Sequence, residues 1–257
     1  NKQGLPKDLL WDFAVPAIIF SVLGARIYYV VFSWDYYKNH LNELLNIRQG
    51  GIAIYGAVIG GFLTLLVFCK IRKQNFFLIS DIAVLGLLVG QIMGRWGNFT
   101  NREVFGHYTD SLFAMRLPIE AVRSADITSD IAAHITDGIN YIQVHPTFLY
   151  ESVLNLLLLI VLLLYTKHKK FNGEIALSYL GGYGIIRFFV EGIRTDQLKI
   201  GSTGIAVSQL LGMVLFIAAI LTDVIVRIYR RKKGLQELPQ KAAVVQNKVE
   251  NDEKQDE

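Results

Sequence analysis

The sequence predicts an all-α, multi-span membrane protein: six transmembrane helices with a small folded cap on the extracytoplasmic side. Three observations lead there. Of 257 residues, 52% are hydrophobic and only 19% are charged, with a mean hydropathy of +0.36. The apolar residues fall into six runs, each near the roughly 20 residues that a helix needs to cross hydrocarbon. Lysine and arginine crowd into alternate short connections, the pattern of loops held in the cytoplasm.

The elements follow in chain order. The chain opens at Asn1 without a methionine, and residues 2–7 read as a loop entering a helix, so a seventh helix is expected upstream. The first run, 8–33, is too long for the apolar stretch of a cleaved signal peptide, and no small-residue cleavage site follows it. Runs at 51–70 and 76–98 come next. Residues 107–145 form the one long external loop, with Phe113, Met115, Leu117, Ile119, Ile127, Ile131 and Ile135 among polar residues. That mixture predicts a folded cap rather than a slack linker. Runs at 147–165, 174–192 and 203–227 complete a bundle over residues 1–227. Residues 228–257, basic and then mixed in charge, predict a disordered cytoplasmic tail.

Charge placement sets the orientation. One side receives Lys2 and Lys7; Lys70, Arg72 and Lys73; Lys167, Lys169 and Lys170; and Arg227, Arg230, Arg231, Lys232 and Lys233. Short basic loops stay inside, so both chain ends are expected in the cytoplasm. The net charge of +4 is then a topology signal and not a nucleic-acid footprint. The single cysteine, Cys69, excludes an internal disulfide and any multi-cysteine metal site, and reads as inert packing.

The spans carry polar groups where lipid should be. Arg26, Arg95 and Arg187 fall in the outer halves of spans one, three and five, and Tyr55, His145 and Glu151 reach the same depth from spans two and four. A central arginine costs roughly 2.5–3.5 kcal/mol on insertion scales, so such residues face a bundle interior or a wet cavity. Arg26 taken alone fits a side chain that snorkels to headgroups. Tyr183, Arg187, Glu191 and Arg194, spaced 4-4-3, share about 80° of one helical face. That stripe fits a face turned toward a cavity; the plainer alternative is an Arg187–Glu191 pair that ties helices together. Repeats at Gly86, Gly90 and Gly94 and at Gly56 and Gly60, with Gly181, Gly182 and Gly184, predict close backbone approach. They also predict room for a lipid-sized groove beside the arginines.

The segment Gly94-Arg95-Trp96-Gly97-Asn98-Phe99-Thr100-Asn101-Arg102-Glu103-Val104-Phe105-Gly106 resembles the signature of bacterial prolipoprotein diacylglyceryl transferases. Three further blocks agree in order and spacing: Arg48 to Gly56, His145-Pro146-Thr147-Phe148-Leu149-Tyr150-Glu151, and Gly182-Tyr183-Gly184-Ile185-Ile186-Arg187 with Glu191 and Arg194 after it. The similarity covers about residues 8–225. It implies transfer of a diacylglyceryl group from phosphatidylglycerol to the lipobox cysteine of a preprolipoprotein signal peptide, with no metal or cofactor. It also implies a bacterial cell membrane and an active site facing the outer leaflet. By resemblance Arg95 binds the lipid headgroup with Asn98, Gly106 and Arg194, while Arg187, Tyr55, Tyr183, Asn98 and Glu191 serve the chemistry, and Glu103 shapes the site.

Two departures stand out. Some family members have histidine at the position of Tyr55, proposed there as a base, and a phenol is a poor base at neutral pH. The family's first helix, with a functional tyrosine, has no counterpart in these residues. An anion transporter or a lipid-binding membrane scaffold would also use intramembrane arginines. Against the transporter, Leu63–Phe68 and Leu156–Leu164 are plain hydrocarbon with no inner polar set; against the scaffold, the ordered motif blocks would have no purpose.

Overall fold

All six apolar runs become long helices in the structure, a computed structural model that describes residues 8–48, 50–136, 138–201 and 204–235. In order the elements are α1 (Leu9–Phe32), the one-turn α2 (Trp34–Tyr37), α3 (Ile54–Ile71), α4 (Phe76–Asn101), β1 (Met115–Pro118), the one-turn α5 (Ser129–Ala132), β2 (Tyr141–Val144), α6 (Thr147–Tyr165), α7 (Glu174–Ile193) and α8 (Val207–Lys232). Five of them, α1, α3, α4, α6 and α8, are long and apolar enough to cross a membrane. The 20-residue α7 dilutes its apolar surface with Glu174, Arg187, Glu191 and glycines, so length and composition mark five spans rather than six. α8 runs to Lys232, which makes helix of residues 228–232, expected in the tail. Arg230, Arg231 and Lys232 sit in its last turn, where cations complement the helix dipole. Residues 236–257, read from sequence as a disordered tail, lie outside the described residues.

The chain divides into two compact units, the boundary falling within α4 between Ser80 and Asp81. In the first unit α1 and α3 meet through glycine. A Cβ added to Gly24 or Gly56 would strike the other's carbonyl, and one on Gly60 would strike the carbonyl of Phe20, so the two backbones touch as small residues permit. Leu9, Leu65, Phe68, Cys69 and Ile79 form the buried cluster beside this crossing, so Cys69 is packed among apolar residues. An Arg72–Asp12 ion pair ties the end of α3 to the start of α1.

Arg26 does not snorkel. It is 5% exposed, with Nε donating to Leu44 O (2.8 Å), Nη1 to Gly50 O (3.1 Å) and Gly51 O (2.7 Å), and Nη2 to Glu43 O (2.6 Å). Its guanidinium also lies 5.1 Å over the Tyr37 ring. Gly50 and Gly51 take φ of +91° and +75°, angles open to glycine, in the turn that offers Arg26 their carbonyls. One arginine thus satisfies four backbone acceptors of the loop between α2 and α3.

In the second unit Leu88 of α4 packs with Leu162 of α6 and Ile175 and Tyr179 of α7. Gly184 of α7 and Gly212 of α8 would each drive an added Cβ into the other's carbonyl. Asp81 caps α7, accepting from Gly173 N and Ala176 N (both 2.9 Å) with Lys169 Nζ at 3.2 Å. Glu174, fully buried, accepts from Tyr165 Oη (2.7 Å), Lys170 N, Phe171 N (3.3 Å) and Arg227. Gly86, Gly90 and Gly94 behave otherwise. A Cβ on any of them would meet nothing within 4 Å, and at about 100° per residue Gly86 and Gly90 fall on the far side of α4 from Leu88 and Arg95, with Gly94 to one side. Within the second unit this stripe makes no glycine-to-backbone helix contact of the kind seen at Gly184 and Gly212.

Between α4 and α6 the chain departs from an all-α reading. β1 and β2 pair antiparallel, with Met115 opposite Val144 and Leu117 opposite Ile142. Phe105, Leu117, Val122, Ile131, Ile142 and Val144 form the core beneath them, with Met115, Ile119, Ile127 and Ile135 packed against it. Phe113 is the exception among the expected core residues, at 65% exposed beside Leu112 at 93%.

Candidate active site: an arginine–carboxylate cluster

α4 ends in a tight turn. Arg102 and Val104 adopt φ of 54° and 59°, uncommon for any non-glycine residue and an outlier for a β-branched one. The turn folds Glu103 back so that its N–H donates to Asn98 O (3.1 Å) and its Oε1 accepts from Asn98 Nδ2 (3.1 Å). Thr147 Oγ1 at the start of α6 donates to Val104 O. Gly106 follows, buried, with its N–H donating to His145 O (3.0 Å), while His107 N donates to Ile193 O (3.1 Å). A Cβ on Gly106 would stand 2.8 Å from His145 Cβ and 2.9 Å from Ile193 O. Glycine is therefore what lets the end of α4, the approach to α6 and the end of α7 share one place.

That knot positions the charges. Glu151 of α6 is 1% exposed. Arg95 Nε lies 3.2 Å from its Oε1, and Arg187 Nη1 donates to its Oε2 at 3.1 Å. Tyr183 Oη donates to Oε1 at 3.3 Å. Arg95 Nη1 also donates to Asn98 Oδ1 (3.1 Å), and Arg187 Nη2 to Glu191 Oε2 (2.5 Å). Arg194 Nη1 is 3.6 Å from the same Glu191 oxygen, and Arg194 grips Asp196 in two-pronged fashion, Nε to Oδ1 at 2.8 Å and Nη2 to Oδ2 at 2.6 Å. Buried charges survive only when paired and hydrogen-bonded, and here three guanidiniums alternate with three carboxylates. Burial works against the charged form of Asp196, but the Arg194 hydrogen bonds outweigh it and hold this carboxyl below its usual range. Burial, and then the charge of nearby His107, lower the His145 imidazole, whose Nδ1 lies 3.2 Å from Tyr150 Oη.

Arg95, Asn98, Tyr183, Arg187, Glu191 and Arg194, chosen from sequence, thus converge in the second unit, with Gly106 in the knot beside them. Tyr55 belongs to the first unit, on α3, 47% exposed and with its ring 6.3 Å from that of Tyr28. Glu151 is the member that sequence reading left without a role. The signal was present in the expense of a carboxylate within an apolar helix, but its two arginine partners lie on other helices.

The sequence profile of the family described as prolipoprotein diacylglyceryl transferase matches residues 1–225. The chain belongs to that family. A phosphatidylglycerol–prolipoprotein diacylglyceryl transferase of Limosilactobacillus reuteri is 43% identical over 243 residues, covering 91% of this chain and 80% of the relative. Similarly named transferases of Listeria welshimeri (42% over 235 residues) and Lactobacillus acidophilus (44% over 234) cover 91% and 90% of this chain, and 78% of each relative. Within this diacylglyceryl transferase, the blocks around Arg95, Glu151 and Arg187 are the ones that the fold brings to a single cluster. Such a cluster can accept a phosphate, because guanidinium forks match phosphate oxygens in pairs.

Proposed function

We propose that this protein transfers the diacylglyceryl group of phosphatidylglycerol to the lipobox cysteine of preprolipoprotein signal peptides, and that it does so at the Arg95–Glu151–Arg187 cluster. The cysteine sulfur attacks the glyceryl carbon that bears the phosphate. A C–S bond forms as the C–O bond breaks, its electron pair leaves on glycerol phosphate, and the thiol proton balances the new phosphate charge. The nucleophile belongs to the substrate, which is consistent with a buried Cys69.

The reading rests on one observation above all: a single buried carboxylate holds Arg95 and Arg187 side by side. Charge gathers on phosphate oxygens in the transition state, and donors fixed in advance stabilise it most when they need not reorganise. Asn98, tied to both Arg95 and Glu103, is placed to add a neutral donor, and Arg194 supports Glu191 from behind. The guanidinium field lowers the pKa of the incoming thiol, and Tyr55 contributes a hydrogen bond rather than acting as a base. In this reading α7 is a sixth span whose charged face is turned to α6, residues 107–145 cap the outer surface of the bacterial cell membrane, and the basic ends lie inside.

The experiment is transfer of labelled phosphatidylglycerol to a lipobox peptide by the purified protein. A thioether-linked diacylglyceryl peptide is the expected product. Lipid binding without transfer would instead support a membrane scaffold.

A further inference from the structure

The three helices that build the charged layer set down a second polar layer one turn away. Gln91 precedes Arg95 by four residues on α4, Asn155 follows Glu151 by four on α6, and Tyr179 precedes Tyr183 by four on α7. Each step leads toward the middle of its helix, by about 6 Å at 1.5 Å per residue. Gln91 Nε2 donates to Tyr179 Oη at 2.9 Å, and the Tyr179 ring stacks on Tyr183 with centroids 5.7 Å apart and planes 10° from parallel. The rest of the layer lacks partners. Asn155 is fully buried, and among the described residues its Oδ1 and Nδ2, like Gln91 Oε1, have no hydrogen-bond partner. Buried polar atoms are paired in the great majority of cases, so three unpaired ones in one layer call for an explanation, and among the three Asn155 Nδ2 is the donor that an acceptor ligand can satisfy. For packing alone, a leucine of similar volume would serve better than an unpaired amide.

We propose that the Gln91–Asn155–Tyr179 layer receives the ester carbonyls of the lipid's diacylglyceryl group. The inference rests on the phosphatidylglycerol reading of the charged layer. A phosphate among the arginines has its glyceryl esters only a short three-carbon unit away, a reach comparable with one helical turn. Ester carbonyls are pure acceptors, and the layer offers donors: two N–H groups on Asn155 and the O–H of Tyr179, whose oxygen is already engaged by Gln91. The second Asn155 hydrogen can then meet Gln91 Oε1 once that flexible chain turns. Gln91 is half-buried and is the member through which a lipid gains entry. The layer therefore reads the part of the lipid that is transferred, whereas the arginines read the part that leaves.

The test compares ordinary diester phosphatidylglycerol with its dialkyl ether analogue, which keeps the headgroup and lacks both carbonyl oxygens. Transfer and lipid-induced thermal stabilisation are both measured. Wild-type protein is expected to favour the diester by about tenfold in kcat/KM, the worth of one to two neutral hydrogen bonds, and to be stabilised more by it. Asn155→Leu, and separately Tyr179→Phe, which keeps the ring stacking, should each narrow that preference to about threefold. Two outcomes overturn the proposal: a wild-type preference near one, or variants that lower both lipids in equal proportion, as a layer holding only water or serving only packing would. The stabilisation arm separates the two readings. Transfer from neither lipid with the binding preference intact would sink the transferase reading alone; transfer with no preference would sink the ester layer alone.

Discussion

Arg95 and Arg187 come from different helices and would repel one another without Glu151 between them. Replacing either arginine by alanine should lower transfer by about 100-fold or more, the scale of losing one fixed donor to developing charge. Lysine should restore little, since it keeps the charge and loses the planar fork. Equal activity of both lysine variants in a labelled-lipid assay would rule out paired phosphate recognition. Glu151→Ala should do more harm to the fold: removing one partner of a buried ion pair costs on the order of 3 kcal/mol, visible as earlier thermal unfolding in detergent. Tyr55→Phe should lower the rate modestly and leave the shape of a pH–rate series unchanged; a dead variant that still binds phosphatidylglycerol would make Tyr55 the base. Tyr183, Arg187, Glu191 and Arg194 could be placed on one helical face from their 4-4-3 spacing, whereas Arg95 stood out by the cost of an arginine in an apolar span and by the family resemblance. The role of Arg26 could not be read, since its partners are the main-chain carbonyls of Glu43, Leu44, Gly50 and Gly51, and no side-chain pattern announces a carbonyl.

Glycine separates the elements that touch from those that do not. Gly106→Ala should disrupt the meeting of α4, α6 and α7, with loss of activity and a lower unfolding temperature, because its new Cβ would press on His145 and Ile193. Gly90→Ala should leave both within error of wild type or slightly improved, as helix propensity favours alanine by about 1 kcal/mol where nothing is in the way. The two glycines look alike in sequence; only the course of the neighbouring chain tells them apart. Five of the long helices were legible because each run is long and apolar, and α7 because its charged residues keep to a helical spacing. β1 and β2 were not, because four residues each give too little alternation to distinguish a strand from a loop, and β1 ends in Pro118. The core of that segment was legible nonetheless, apart from Phe113, since burial of Leu117 and Ile131 follows from hydrophobicity alone.

For the whole molecule, the charge of the loops sets the expected orientation. Cysteines at Asp110 and Ser124, both exposed, should label from outside intact cells, and one at exposed Lys167 should not. The native Cys69 is 5% exposed and should give little background. The reverse labelling pattern would invert the proposed topology and place the arginines at the inner surface. Charge balance in the cluster has a further bearing on turnover. Arg95, Arg187 and Arg194 carry three formal positive charges, and Glu151, Glu191 and Asp196 three negative ones. A site already neutral does not trap its product. The phosphodiester that enters bears one negative charge, and the monoester that departs approaches two near neutral pH; on the proposed reading the arginines pull harder on that second charge, and Glu151 and Glu191 offset part of the pull. On that reading the carboxylates that hold the arginines in place also keep glycerol phosphate from being held as tightly as unpaired arginines would hold it.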